Sequence, residues 1–114
     1  MKPALLKRLV DAEKAAQTAV SFCKEKTFEQ YTKDEILRSA VERQLEILGE
    51  ALNRALVDEP SLEKSFPEAR RIVGIRNRII HGYDSVDDEI LWDVVRTKLE
   101  PLAELLKREM VEGI

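Results

Sequence analysis

Cysteine and histidine are almost missing from this chain: its 114 residues include one of each, Cys23 and His81. A lone cysteine excludes an internal disulfide and suits a reducing compartment. One cysteine and one histidine also exclude a Cys/His metal cluster built by a single chain. Glycine and proline are scarce, at four each, and six aromatic residues with few threonines argue against a sheet. No apolar run approaches the roughly 20 residues of a membrane-spanning helix. The segment from Met1 to Val10 is interrupted by Lys2, Lys7 and Arg8, so it reads as amphipathic helix and not as a signal peptide. The expectation is a soluble, cytoplasmic protein with no membrane contact, no metal and no cofactor.

What the chain does hold is charge, 36% of its residues, against 44% apolar ones. That balance fits a helical globular protein and not a disordered one. Its length predicts one domain over 1–114 with one core. Four helical segments follow from period and punctuation. Leu5, Leu9, Ala12, Ala16, Ala19 and Cys23 form the stripe of the first, from about Pro3 to Lys24, and Thr27 to Thr32 read as a polar break. Thr32 and Glu35 suggest a capping box for the second helix. Its apolar stripe is Ile36, Ala40, Ile47, Leu48, Ala51, Leu52 and Ala55, widened by Val41 and Leu45. Gly49 inside it costs about 1 kcal/mol relative to alanine; it marks either a close approach by another helix, in this chain or a second subunit, or a neutral passenger. Ser65 with Pro67 predicts the start of the third helix, which Gly82 ends. Ser85 is the expected cap of the fourth, ahead of Asp87, Asp88 and Glu89, and Pro101 should bend or break it near Glu100. The fold class is therefore all-α, an antiparallel up-and-down four-helix bundle with room for a short extra helix.

The charge is unevenly placed. From Ala69 to Tyr83 there are four arginines and no acid, a local +4 in a chain of formal charge −3, so the remainder carries −7. An isoelectric point near 5.3 opposes loose nucleic-acid binding and leaves room only for local contact with an anion. Within that basic stretch lies Arg76-Asn77-Arg78-Ile79-Ile80-His81-Gly82-Tyr83. At about 100° per residue Asn77 and His81 share a helix face, with Arg76 on its flank.

Such a cluster suits RNA cleavage by the neighbouring 2′-hydroxyl. Imidazole transfers protons near neutral pH. Guanidinium offers paired donors and a charge that does not titrate away. Asn77 would either donate to a phosphate oxygen or hold the His81 ring. One histidine does not easily serve as base and acid on opposite sides of one phosphorus, whereas a symmetric dimer supplies two. Arg70, Arg71 and Arg78 read as phosphate-attracting surface charges, and Tyr83 as a packing residue with its hydroxyl at the rim. Other readings stay open: a histidine in a last turn also serves as a simple cap of the helix dipole, and the chain would then be a dimeric scaffold.

The order Arg-x4-His-x-Tyr, here Arg76, His81 and Tyr83, resembles the signature of HepT-like toxins of the HEPN superfamily. Gly49-Glu50-Ala51, the Arg76-Asn77 pair, Val86-Asp87 and Trp92 extend the likeness over most of the chain, to about Leu102. Phe66-Pro67 stands where a tryptophan or other large residue often leads into the third helix. The resemblance implies a HEPN-like homodimer whose composite site cuts RNA without metal, with Arg76, Asn77 and His81 as the catalytic trio. It further implies a type VII-like toxin–antitoxin system. A minimal nucleotidyltransferase antitoxin, MntA-like, would transfer AMP to Tyr83 and inactivate the toxin. The alternative is a non-catalytic HEPN module that binds a nucleotide or holds a nucleotidyltransferase partner.

Overall fold

A computed structural model describes residues 1–82 and 86–113, and every described element is helical. Helix α1, Pro3–Cys23, opens with a proline in its first turn, where the missing N–H is not needed. Its buried stripe is mostly alanine, with Leu9, Ala12, Ala15, Ala16, Ala19 and Cys23. Small side chains let α1 lie between two long neighbours, and it packs on both α3 (Glu35–Asp58) and α6 (Leu99–Glu112). Helix α4, Ala69–His81, packs on the other side of α3. The rods therefore stack in the order α4, α3, α1, α6 around a continuous apolar cluster.

The supposed polar break after α1 contains a helix. α2, Phe28–Lys33, is closed by a reciprocal capping box, with Gln30 N–H donating to Thr27 Oγ1 at 3.1 Å and Thr27 N–H to Gln30 Oε1 at 2.9 Å. Its purpose is to bury Tyr31, which is 0% exposed and lies 5.4 Å from the Trp92 ring. Thr32 consequently caps nothing; its hydroxyl donates to Glu29 O inside α2. The cap of α3 is Asp34, which accepts from Leu37 N–H at 3.0 Å.

The α3 stripe is buried as expected at Leu48, Ala51, Leu52 and Ala55, and differs at its edge and first turn. Val41, Leu45, Leu48 and Leu52 are fully buried, Ile47 is only partly buried, and Ile36, in the first turn, is 83% exposed. Past α3 a short 3-10 turn, Pro60–Lys64, leads to Phe66, which plugs the core at 1% exposure. That insertion uses up the residues expected to start the next helix. α4 begins at Ala69, with Glu68 at its cap position and no side-chain cap from Ser65. Gly82 ends it as expected, in the left-handed conformation at φ +60°.

The last rod begins as α5, Asp88–Asp93, capped by Asp87, which accepts from Glu89 N–H at 2.9 Å. Ser85, the expected cap, lies outside the described residues. Pro101 neither breaks nor ends this rod. A π segment, Val94–Lys98, comes just before it, and Leu99 N–H reaches back five residues to Val94 O. The wider turn absorbs the helix register disturbed by a proline four residues beyond Thr97. Arg96 in this segment lies over the Trp92 ring, 5.2 Å from its centroid, and donates to Cys23 O at 3.1 Å, joining the end of α1 to the start of the last rod. No helix among the described residues is long and apolar enough to cross a membrane.

Candidate functional site

The site is organised by how closely α4 approaches α3. A Cβ on Gly49 would land on Arg76 Cβ, lie 2.9 Å from Arg76 Cγ and sit 3.2 Å from Ile72 O. Gly49 is therefore the close approach left open by the sequence, and the other helix belongs to the same chain. With no side chain between the helices, the Arg76 stem lies flat against α3.

Its guanidinium is then fixed at two points. Nη2 donates to Glu50 Oε2 at 2.5 Å, and Nη1 donates to Asn77 Oδ1 at 2.8 Å. Glu50 is itself held on its other oxygen by Arg54 Nε at 2.6 Å. That hydrogen bond from Arg54 is the largest cause of a Glu50 pKa lowered from its ordinary 4.5; burial opposes it, and the positive charges of Arg76, Arg54 and Arg8 each add a smaller lowering. Glu50 thus stays ionised at neutral pH and keeps Arg76 paired. Arg76 Nε is buried with no hydrogen-bond partner among the described residues.

Asn77, turned away from α3, is exposed. Because its oxygen accepts from Arg76, its amide NH2 is what it has left to offer, a donor, which suits a phosphate oxygen better than a role as ring acceptor. His81, one turn further along the same face, is exposed in the last turn of α4. Arg76 and Asn77 are thus joined directly, and His81 stands beside them at the helix end.

The other arginines of the basic stretch lie apart from that pair. Arg70 Nε meets Glu63 Oε1 at 2.5 Å, and Arg71 lies 3.9 Å from Glu68. Both ion pairs are exposed, so they give way readily to a competing phosphate. At 1.5 Å per residue Arg70 and Arg71 are about 15 Å along the axis from His81, too far for either to meet one phosphate together with it. Arg78 lines a separate cleft with Arg38, Glu42 and Gly82. Tyr83 lies outside the described residues. Among the described residues no three His, Cys, Asp or Glu side chains gather in a way that could hold a metal ion.

Glu50 was missed as a functional residue because its partner is 26 positions away. The signal for it was the glycine beside it in mid-helix.

The all-helical fold, with this arginine–asparagine pair and a histidine one turn later, is in keeping with the HEPN-like pattern that the sequence resembles. Residues 12–109 match the family model described as Ribonuclease HepT-like, and the chain belongs to that family. It is 33% identical over 94 residues to "Probable ribonuclease HepT" of Thermococcus cleftensis, covering 82% of this chain and 84% of that one. It is 32% identical over 90 residues to "Putative RNase MJ1380" of Methanocaldococcus jannaschii, covering 77% and 80%. No solved structure matches the chain at comparable significance.

Proposed function

We propose that this chain is a metal-independent endoribonuclease that works as a homodimer and serves as the toxin of a type VII-like toxin–antitoxin pair. The observation that carries the reading is the anchored Arg76, tied to Glu50 behind and to Asn77 in front. A guanidinium fixed in this way, with an exposed amide beside it, is preorganised to receive the extra negative charge of a phosphorane.

In the reaction the 2′-oxygen attacks the adjacent phosphorus as an imidazole takes its proton. The bond from phosphorus to the 5′-oxygen breaks, and a second imidazole gives that oxygen a proton. The products are a 2′,3′-cyclic phosphate and a free 5′-hydroxyl. Two His81 side chains, one from each protomer, fill the base and acid roles that one alone does not. Arg76 neutralises the developing charge and Asn77 donates to a phosphate oxygen. Arg70, Arg71 and Arg78 attract phosphates further along the strand. The HepT-named relative and the family model support ribonuclease chemistry.

The control mechanism is AMP transfer to Tyr83 by an MntA-like nucleotidyltransferase. Added phosphate and bulk two residues from His81 would offset the arginine charge and obstruct the cleft. Purified chain incubated with total RNA in excess chelator tests the proposal. Fragments ending in 2′,3′-cyclic phosphate are expected. Intact RNA, together with nucleotide-dependent thermal stabilisation, would instead favour a non-catalytic HEPN module.

A further inference from the structure

On the far side of Glu50 from Asn77, a groove of about 320 Å³ runs between α1, α3 and α4. That is the small end of ligand-sized clefts. Four guanidiniums line it, those of Arg8, Arg43, Arg54 and Arg76, against three carboxylates, so it carries one positive charge in excess. The carboxylates are already engaged. Asp11 meets Lys7 at 3.1 Å, Glu46 meets Arg43 at 3.3 Å, and Glu50 is divided between Arg54 and Arg76. With Asp11 held by Lys7 from outside the lining, the remaining positive charge is divided between Arg8 and the Arg54–Arg76 pair that shares Glu50, and Arg8 Nε is buried with no hydrogen-bond partner among the described residues. Arg76, which also lines the groove, has its Nε in the same condition.

Two buried guanidinium N–H groups without partners carry a desolvation cost that an anion would remove. The charge of Arg8 matches that of one internucleotide phosphodiester. The rest of the lining suits the other parts of a nucleotide: Ile47, Ala51 and Ile80 offer an apolar floor, and Ile80 is 45% exposed.

We infer that this groove binds the nucleotide next to the scissile link of a single-stranded RNA, with Arg8 gripping its phosphate and Ile80 underlying its base. The inference rests on the ribonuclease reading and extends it by a binding residue on α1, outside the basic stretch. Arg8 is more than 60 positions from Arg76 in sequence and enters the site only through packing of α1 on α3.

The test is fluorescence anisotropy of the full chain with a labelled 2′-O-methyl oligoribonucleotide, which lacks the attacking hydroxyl and is not cut. Arg8→Ala is expected to weaken binding about tenfold, and to reduce the salt slope by about 0.7, the contribution of one single-strand phosphate. Arg8→Met, which keeps the apolar stem, separates charge from packing and should weaken binding equally with an unchanged melting temperature. Wild-type affinity and salt slope in Arg8→Met would overturn the inference while leaving the ribonuclease reading intact. Failure of the wild-type chain to bind the oligonucleotide would overturn both. If free AMP bound in an Arg8-dependent way while oligonucleotide affinity ignored Arg8, the groove would be a mononucleotide site and the assignment to RNA would fall.

Discussion

The two sides of α4 are built on opposite principles. The side against α3 is closed: Gly49 admits the Arg76 stem, Glu50 fixes its charge, and Ile72, Val73 and Ile75 seal the rest. The outer side, with Asn77, Arg78 and His81, is exposed, and a Cβ on its Gly74 would meet nothing within 4 Å. A phosphorane needs a fixed charge, whereas proton transfer needs a group that reaches solvent and substrate. In the proposed reaction the cation that meets the phosphorane, Arg76, stands on the rigid side and the titratable group, His81, on the open side. Position around one helix thus suits each to the role proposed for it.

Substitutions should separate those sides by kind of effect. His81→Ala, on the open side, is expected to lower RNA cleavage by about a thousandfold while the chain still folds. Cleavage equal to wild type would remove His81 from the chemistry. Arg76→Ala should cost about a hundredfold or more in kcat and also destabilise the fold. Arg76→Lys should rescue little, because an ammonium does not bridge Glu50 and Asn77 as a planar fork does. Full activity in the lysine variant would show that charge alone suffices.

Glu50→Gln should act through Arg76, lowering kcat by about tenfold with a smaller change in KM, since Glu50 positions the guanidinium and does not touch the reacting atoms. Its pH signature follows from the lowered Glu50 pKa. A depressed carboxyl stabilises the fold above its unfolded value and loses that contribution as pH falls through the folded one. Wild type should therefore melt above Glu50→Gln at neutral pH, with the gap closing as pH drops below about 4.5. A gap independent of pH would show that the ion pair contributes nothing.

The smallest effects belong to the two glycines. Gly49→Ala forces α3 and α4 apart and should cost about 1–3 kcal/mol. Gly74→Ala should gain up to about 1 kcal/mol from helix propensity. Thermal melts of both variants check the opposed signs. A loss at Gly74 would show that something packs on the outer side.

The four long helical rods were legible because their apolar stripes recur at helical spacing, and the motif was legible because Arg76, Asn77 and His81 lie within six positions. Helix α2 was not, since six residues are too few to show a period. Ile36 was assigned to the buried stripe because spacing says which residues share a face but not where along the helix the neighbours begin. The π segment before Pro101 replaced an expected break because a proline's cost depends on whether the preceding turn is able to widen. Glu50 and Arg8 escaped for one reason: their connection to the motif exists only after α1, α3 and α4 have packed.

The most direct test of the account is a mixed dimer, in which one protomer is wild type and the other is His81→Ala, isolated by two different tags. If both imidazoles serve one phosphate, the mixed dimer should cut RNA no better than the doubly substituted one. Half of the wild-type rate would mean that each chain works alone, contradicting the shared site.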